Sequence, residues 1–222
     1  MGDEAVLMVG SGGHGRVLAD IIRRSSGLRL AGIIDDFAAA GTQTLGSTVL
    51  GGSTDLPRIM AQTGCRRLVL AVGHNGRRLE LAERIESQCE GVIWQSLCHP
   101  SVIVGEDADI GPGSVVTAGA VISPGSRLGR HCIINTSAVV DHDCRLGDGS
   151  SLGPGALLGG WATLGDGAIV AIGATVINGL QLGAHCLLGA GATAVRDLPE
   201  LAVALGVPAR VVRQRTAQEE YL

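Results

Sequence analysis

Aromatic side chains are scarce in this sequence. Its 222 residues include one Phe, one Tyr and two Trp, although hydrophobic residues make up 45% of the chain. A core of that size must be filled almost entirely by Val, Ile, Leu and Ala. Glycine is abundant, at 35 residues, which is about twice its usual share. This composition favours short strands joined by tight corners.

Long runs of positive charge and of apolar residues are also missing. The net charge is −4, with no basic block, so we expect no nucleic-acid partner. A phosphate-bearing small molecule remains compatible, because backbone N–H groups bind phosphate without net positive charge. The apolar start AVLMVG (5–10) is too short for a signal peptide or membrane span. We therefore expect a cytoplasmic protein with no membrane partner.

The cysteines and histidines form no obvious metal site. None of the six cysteines is in a CxxC pair, and we interpret them as buried small hydrophobes. His99 is interpreted as structural, and His131 and His185 as solvated corner residues. No set of histidines, carboxylates and thiolates has the spacing of zinc ligands, so no metal is expected.

The first hundred residues alternate strand-like and helix-like segments, which predicts a small parallel α/β domain over residues 1–99. Asp55 or Thr54 can cap the second helix, and Pro57 is tolerated in its first turn. The predicted strands are 5–10, 28–35 and 67–73, and the predicted helices are 14–25, 55–63 and 77–88.

After Pro100 the period becomes six residues. Fifteen consecutive hexads, from Val104 to Leu188, carry Val, Ile or Leu in one column, and the residue two positions earlier is nearly always small. One strand and one corner fill six residues, so three units close a triangular coil of eighteen. Stacked coils pair as parallel strands about 4.8 Å apart, with glycines at the corners. The period alone leaves the hand of the coil open.

The hexads resemble the left-handed parallel β-helix of the hexapeptide acyltransferases. The resemblance covers residues 100–212, including GVPAR (206–210), and leaves 213–222 as a polar tail. It implies a homotrimer that binds an acyl-CoA substrate between neighbouring prisms.

The glycines of the N-terminal domain have the pattern of a nucleotide site. GSGGHG (10–15) fits G-x-G-x-x-G between a strand and a helix, and Asp35 follows Gly15 by twenty residues. The α/β unit ends near residue 99, which leaves no room for a second mononucleotide half. A nucleoside diphosphate therefore fits better than NAD. A non-catalytic module that binds NAD or a nucleotide on a structural β-helix remains an alternative.

Several motifs together resemble one family across nearly the whole chain. They are VGSGGHGRV (9–17), IIDD (33–36), AVGHN (71–75), CHPS (98–101) and NTSAVVDHDC (135–144). The family is that of the bacterial sugar O- and N-acyltransferases, with sialic acid O-acetyltransferases and N-acetyltransferases of UDP- and GDP-linked 4-amino sugars as members. The resemblance implies nucleotide-sugar contacts at Gly12, Gly13, His14, Asp35, Asp36 and Gly73.

The sequence Asp141-His142-Asp143 supplies a candidate general base. A neutral amine that attacks a thioester must lose a proton, and imidazole accepts one near neutral pH. His142 follows an inward-facing Val140 by two residues, which predicts an outward-facing corner. Asp141 is interpreted as a polar corner residue. The resemblance assigns Asp143 the task of raising the basicity of His142.

The remaining site residues follow from the repeat or from the resemblance. Gly160 lies eighteen residues after His142, so its N–H is a candidate to stabilise the oxyanion. The resemblance implies that Ile172, Gly173 and Ala190 contact acetyl-CoA, and it identifies Asn135 as an active-site asparagine. Asn135 lies about one corner from His142, so the two would share a substrate only across a subunit boundary. Ser151 replaces a second histidine found in the UDP-sugar enzymes.

These observations predict an acetyl-CoA-dependent N-acetyltransferase that acts on the 4-amino group of a nucleotide-linked amino sugar. The reaction needs no acyl-enzyme, because amine and thioester can meet directly. An O-acetyltransferase that acts on a hydroxyl of a sialic-acid-like sugar is the nearest alternative. The nucleotide base and the sugar are left open.

Overall fold

The computed structural model describes residues 3–220. An α/β domain comes first, and it contains one sheet and three helices. Its elements are β1 (Glu4–Val9), α1 (Gly13–Arg24), β2 (Leu28–Ile34), β3 (Gln43–Thr44), β4 (Ser47–Gly51), α2 (Leu56–Thr63), β5 (Arg67–Leu70), α3 (Asn75–Gln88) and β6 (Ile93–Trp94).

The sheet of this domain has the order β3-β4-β2-β1-β5-β6. All pairs are parallel except the hairpin of β3 and β4, which the sequence did not predict. One face of the sheet buries apolar side chains under α1, and the other face buries them under α2 and α3. The predicted Rossmann-like layer arrangement is therefore confirmed.

The helix starts differ slightly from the prediction. A short 3-10 turn, Ser53–Asp55, precedes α2, and the Asp55 carboxylate accepts from the N–H of Gly52 instead of capping α2. Helix α3 begins two residues earlier than predicted. Its cap is His74, whose Nδ1 accepts from the N–H of Arg77 at 3.2 Å.

A parallel β-helix follows, as the hexads predict. Each hexad supplies one two-residue strand. The strands are β7 (Leu97–Cys98), β8 (Ile103–Val104), β9 (Asp109–Ile110), β10 (Val115–Val116), β11 (Val121–Ile122), β12 (Arg127–Leu128), β13 (Ile133–Ile134), β14 (Val139–Val140), β15 (Arg145–Leu146), β16 (Ser151–Leu152), β17 (Leu157–Leu158), β18 (Thr163–Leu164), β19 (Ile169–Val170), β20 (Thr175–Val176), β21 (Gln181–Leu182), β22 (Leu187–Leu188) and β23 (Thr193–Ala194).

Every third strand belongs to the same sheet, so the prism has three faces. We call them the first face (from β7), the second face (from β8) and the third face (from β9). Register is eighteen residues throughout; Val115 pairs with Ile133, for example. The aliphatic column and the small residues fill the interior from Val116 onward. Val104 is an exception and is exposed, because β8 belongs to the first coil and pairs only with β11.

The chain beyond the last coil differs from the predicted polar tail. Strand β24 (Ala202–Leu205) continues the first face, and β25 (Arg210–Gln214) pairs with it antiparallel. Arg215 is buried. The following residues turn back to α3, where a Cβ on Gly76 would lie only 2.5 Å from the carbonyl oxygen of Ala217. We call residues 215–220 the C-terminal strap.

The two domains share an extensive interface. Leu97 and Val115 of the first face join the apolar cluster under α1. No helix within residues 3–220 is both long and apolar enough to cross a membrane.

Candidate active site

The glycine motif lies where a phosphate could approach α1. Gly12 is the exposed N-cap of α1, and it makes no side-chain capping hydrogen bond to the first turn of the helix. A Cβ built on Gly12, Gly13 or Gly73 would meet no atom within 4 Å. Packing within the chain therefore does not require glycine at these three positions. The open space above them is what a bound phosphate group would need.

At two other positions of the motif, the backbone of the chain itself requires glycine. Gly10 adopts φ +104°, a region that L side chains rarely occupy. A Cβ on Gly15 would lie 2.9 Å from the carbonyl oxygen of Gly10. These glycines permit the tight turn from β1 into α1, as the fingerprint requires.

His14 lines a cavity of about 330 Å³ between the domains. Its Nε2 is buried and has no hydrogen-bond partner within residues 3–220. Burial, and then the positive charge of Arg78, lowers the pKa of His14 to about 4, so the ring is neutral at pH 7. The other residues that line the cavity come from both domains and the strap: Gly73, His74, Ile133, Asn135, Ser151 and Glu220.

Asp35 and Asp36 line a separate cavity of about 490 Å³ beside β2. Asp35 accepts from the N–H and hydroxyl of Ser11, at 2.8 and 2.5 Å, and from the N–H of Phe37 and Ala38. Burial alone would raise the pKa of Asp35, but these hydrogen bonds outweigh it and hold the pKa below its ordinary value.

The carboxylate of Asp36 also accepts hydrogen bonds from a nearby serine. It accepts from the N–H and hydroxyl of Ser53 at 2.6 and 2.9 Å. Both aspartates therefore fix the loops around the cavity, whatever else they contact. The cationic side chains at the cavity are Arg77 and Arg84, which the sequence did not single out.

An arginine at the domain interface was also missed. Arg78 is 1% exposed, and its guanidinium donates to carbonyl groups of both domains. The acceptors include the carbonyl oxygens of Gly73 at 2.9 Å, His131 at 2.8 Å and Gly149 at 2.9 Å. Arg78 thereby fixes the position of the Gly73 loop relative to the β-helix. The sequence did not identify Arg78, because a buried arginine in an amphipathic helix cannot be distinguished from an exposed one by its spacing.

Ser151 lies at the same interface. Its hydroxyl accepts from Nδ2 of Asn75 at 3.0 Å, and Asn75 in turn accepts from Arg78. Ser151 therefore belongs to the domain contact and to the cavity of His14, close to Asn135. The Nδ2 of Asn135 donates to the carbonyl oxygen of Leu152, which leaves its Oδ1 available at the cavity.

His131 corrects an expectation. Predicted to be solvated, it is 1% exposed, because Trp94 of the α/β domain covers its ring edge-to-face at 4.6 Å. Neither ring nitrogen has a partner within the described residues. Burial, and then the charges of Arg130 and Arg78, lowers its pKa to about 4. His185 is half-buried.

His142 lies at the corner between the second and third faces, as the repeat predicts. Its Nδ1 is 3.0 Å from Oδ2 of Asp143. Because an ionised carboxylate only accepts, Nδ1 carries the proton and Nε2 of the neutral ring is an acceptor. The two side chains are 38% and 46% exposed, so substrate can reach them. Asp141 accepts from the N–H of His142 at 2.8 Å, which supports the corner and not the ring.

Gly160 lies directly against this ring. A Cβ on Gly160 would be 2.6 Å from Nε2 of His142, so only glycine lets the imidazole occupy its position. Within residues 3–220 the N–H of Gly160 donates to no other residue. The next residue, Trp161, contacts the same ring edge-to-face at 4.4 Å. No sequence motif marks Trp161 as a site residue, because a tryptophan at a corner of the repeat belongs to no known pattern.

The residues that the resemblance assigns to acetyl-CoA lie at another corner. Ile172 and Gly173 join the first and second faces, and Ile172 is 62% exposed. Ala190 lies one coil further, where the N–H of Gly191 donates to the carbonyl oxygen of Ile172. Asn135 is at this corner too. One chain therefore does not bring His142 together with Asn135 or with the three acetyl-CoA candidates.

Metal ligands are not grouped in this structure. Among residues 3–220, no three His, Cys, Asp or Glu side chains are placed to hold one ion. All six cysteines are free thiols; five are buried as expected, but Cys98 is exposed.

A Rossmann-like domain fused to a hexapeptide-repeat β-helix is the fold of a class of acyltransferases. A family model described as the PglD N-terminal domain matches residues 5–85. PerB from Caulobacter crescentus, solved with CoA and GDP-perosamine, is 39% identical, with a TM-score of 0.87 over 93% of this chain and 96% of that one.

Two further relatives agree with this match. The acetyltransferase domain of PglB from Neisseria gonorrhoeae FA1090 is 31% identical, with a TM-score of 0.87 over 95% of this chain and 100% of that one. UDP-N-acetylbacillosamine N-acetyltransferase from Bacillus subtilis (strain 168) is 40% identical over 122 residues. That alignment spans about half of each protein, 51%. The chain belongs to the family of sugar N-acetyltransferases.

Proposed function

We propose that this protein transfers the acetyl group of acetyl-CoA to the 4-amino group of a sugar carried on a nucleoside diphosphate. The observation that carries the proposal is the corner histidine. Its Nδ1 is fixed by Asp143, and its Nε2 lies over Gly160. Relatives whose names specify N-acetylation favour an amine over a hydroxyl as the acceptor.

The proposed reaction is a direct attack. The amine nitrogen forms a bond to the thioester carbonyl carbon, and its proton passes to Nε2 of His142. The negative charge that develops on the carbonyl oxygen is stabilised by the N–H of Gly160, which has no other acceptor among the described residues. When the C–S bond breaks, the CoA thiolate leaves and takes the proton from the imidazolium. Asp143 stabilises that imidazolium while it exists.

The acceptor is proposed to bind between the α/β domain and the β-helix. The open space at Gly12, Gly13 and Gly73 suits a diphosphate at the start of α1. The larger cavity, with Asp35 and Asp36, then suits the nucleoside. The smaller cavity, with His14 and Asn135, suits the sugar or the adjoining phosphate.

The complete site is proposed to need a second copy of the chain. His142 lies at a different corner from Asn135, Ile172 and Ala190, so one prism cannot place them around one substrate. In a homotrimer, a corner of one prism can face a different corner of its neighbour. Acetyl-CoA would then lie between His142 of one copy and Ile172, Gly173 and Ala190 of the next.

The reaction is tested with a panel of UDP-, GDP- and dTDP-linked 4-amino sugars, each incubated with acetyl-CoA while free thiol is measured. Matched 4-hydroxy sugars and sialic acid are the controls. CoA release only with amino sugars is expected. CoA release only with hydroxy sugars would establish O-acetylation instead. Thermal stabilisation by NAD, with no CoA release from any sugar, would favour the binding module.

The base is tested separately with His142→Asn. Isothermal titration should give an unchanged affinity for acetyl-CoA, because the donor is held mainly at another corner. Turnover should fall by about 10²–10⁴-fold, which is the usual contribution of a general base. Turnover close to that of the wild type would remove His142 from this role. Variants of GDP-perosamine N-acetyltransferase with one histidine replaced were solved with both ligands bound, which is consistent with this design.

A further inference from the structure

Trp161 occupies a corner where the backbone does not favour a large side chain. Fifteen corner residues, spaced six apart from 107 to 191, have positive φ, and nine of them are glycine. The others are Asp107, His131, Ser137, Asp143, Trp161 and His185. Positive φ is disfavoured for bulky residues, and such strain is often found at functional sites. Glycine would suit the backbone at position 161 better than tryptophan does.

The indole is placed against the imidazole of His142. The ring centroids are 4.4 Å apart and the planes are at 89°. The N–H of Trp161 also donates to the carbonyl oxygen of His142 at 3.0 Å, so the backbone of one coil fixes the indole over the other. Trp161 is nonetheless 60% exposed, so it contributes little to the packed interior.

Without the indole, the imidazole would be held on two sides only. Asp143 binds Nδ1, and Gly160 lies under the ring. The hydrogen bond to Asp143 is partly exposed, so water competes for both partners. Neither contact prevents the ring from swinging away from Gly160 into solvent. The indole contacts the ring in a perpendicular plane and restricts this rotation.

We propose that Trp161 is a positioning residue, which holds the imidazole of His142 with Nε2 over Gly160 by its edge-to-face contact. This inference rests on the proposed function, in which Nε2 accepts the proton of the amine. Trp161 itself need not touch either substrate.

The test uses Trp161→Gly and the conservative variant Trp161→Phe, assayed for kcat, for KM of both substrates and for thermal stability. We expect kcat of Trp161→Gly to fall by up to about 10²-fold, because misplacing a catalytic group by an ångström can cost a rate factor of that size. Both KM values should stay within about twofold. The melting temperature should not fall, since glycine relieves the positive φ. Trp161→Phe keeps an aromatic ring and should retain kcat within about threefold.

Several outcomes would overturn the inference. An unchanged kcat in Trp161→Gly would show that Asp143 and Gly160 suffice. A raised KM at constant kcat would make Trp161 a binding residue. Equal losses in the Phe and Gly variants would rule out the aromatic contact. A loss of kcat together with a fall of more than about 5 °C in melting temperature would indicate a structural role.

A parallel measurement separates this inference from the proposed function. His142→Asn is assayed beside the Trp161 variants. If His142→Asn remains active, the proposed base is wrong. If it is inactive while Trp161→Gly has wild-type kcat, only the positioning role is wrong. Nitrogen NMR of ¹⁵N-histidine-labelled protein adds a readout without substrate: the Nδ1-protonated form of His142 should lose population in Trp161→Gly.

Discussion

The chain contains the same aromatic pair twice, and the two copies have different properties. His131 contacts Trp94 at the domain interface, and His142 contacts Trp161 at an outer corner, each edge-to-face. His131 is buried and both its nitrogens lack partners among residues 3–220. His142 is partly exposed and has the carboxylate of Asp143. Solvent access and a carboxylate, and not the contact with tryptophan, distinguish the proposed base from a packing residue.

The ring of each histidine also packs against a glycine of the neighbouring coil. Replacing these two glycines is the strongest test of the difference between His142 and His131. A Cβ would lie 2.6 Å from His142 at Gly160 and 2.5 Å from His131 at Gly113. We expect Gly160→Ala to lower kcat by about 10³-fold, because the methyl group displaces Nε2. Its melting temperature should change little. Gly113→Ala should instead lower the melting temperature and leave kcat close to the wild type.

The glycine variants can also contradict the proposed difference between His142 and His131. A double variant, Gly160→Ala with His142→Asn, should be no slower than His142→Asn alone, because both changes remove one function. Additive losses would mean that the added methyl group impairs the reaction by a route other than displacing the imidazole. Equal effects of the two glycine variants on kcat would mean that the two corners do not differ in function.

The buried histidine should make stability depend on pH. The pKa of His131 is about 4 in the folded protein, below the ordinary value of 6.5. The unfolded chain therefore binds the proton first as the pH falls. Protonation of His131 therefore leaves the free energy of unfolding unchanged above pH 6.5. It lowers that free energy between pH 6.5 and 4, and it causes no further loss below pH 4. The total loss is about 3 kcal/mol.

Denaturant titrations between pH 7 and 4 measure this loss. His131→Phe keeps the aromatic contact and cannot titrate. The slope of its free energy of unfolding against pH should therefore be smaller by about 1.4 kcal/mol per pH unit. His14 has a similarly lowered pKa and should leave part of the slope in that variant. His142→Asn serves as the control at the outer corner. A slope unchanged in His131→Phe would contradict the assignment.

Replacing Asp143 tests whether its carboxylate distinguishes His142 from His131 in function. Asp143→Asn should lower kcat, by less than the about 10⁴-fold found for a buried triad aspartate, because Asp143 is partly exposed and an amide cannot stabilise the imidazolium as a carboxylate does. Asparagine tolerates the positive φ of 58° at this position, so the backbone should be unaffected. The matched control is Asp141→Asn, which keeps an acceptor for the N–H of His142. Comparable losses in kcat from both variants would show that the corner, not the ring, depends on these carboxylates.

The smallest expected effect concerns the C-terminal strap at the domain interface. The carbonyl oxygen of Glu219 is 3.0 Å from Nε2 of His74, and Glu220 pairs with Arg77 at 2.6 Å. The ion pair is largely exposed and the contact of His74 is partly buried, so ending the chain at Arg215 should cost about 1 kcal/mol. Denaturant titration of the shortened chain measures the loss.

A second substitution makes the strap prediction more specific. Gly76→Ala places a Cβ 2.5 Å from Ala217 and should destabilise the full chain. In the shortened chain it should stabilise α3 by up to about 1 kcal/mol, because alanine favours helix. The same sign in both backgrounds would show that the strap does not lie against α3 in solution.

The repeat made most of the fold predictable. Each hexad repeats one strand and one corner, so the column from Val116 to Leu188 fixes the interior, the register of eighteen and the outward position of His142. The helix α3 cap was not predictable, because histidine is an unusual N-cap. The hairpin of β3 and β4 has only two paired positions, too few for a pattern.

The sequence by itself determined the parallel coils, the glycine turn into α1 and the corner with His142, Asp143 and Gly160. Local rules suffice for these features, because period, turn geometry and register act over at most one coil. Only the tertiary structure decided that His131 is buried under Trp94 and that Arg78 joins the domains. Those contacts depend on how separate elements approach one another, and no spacing along the chain encodes that distance.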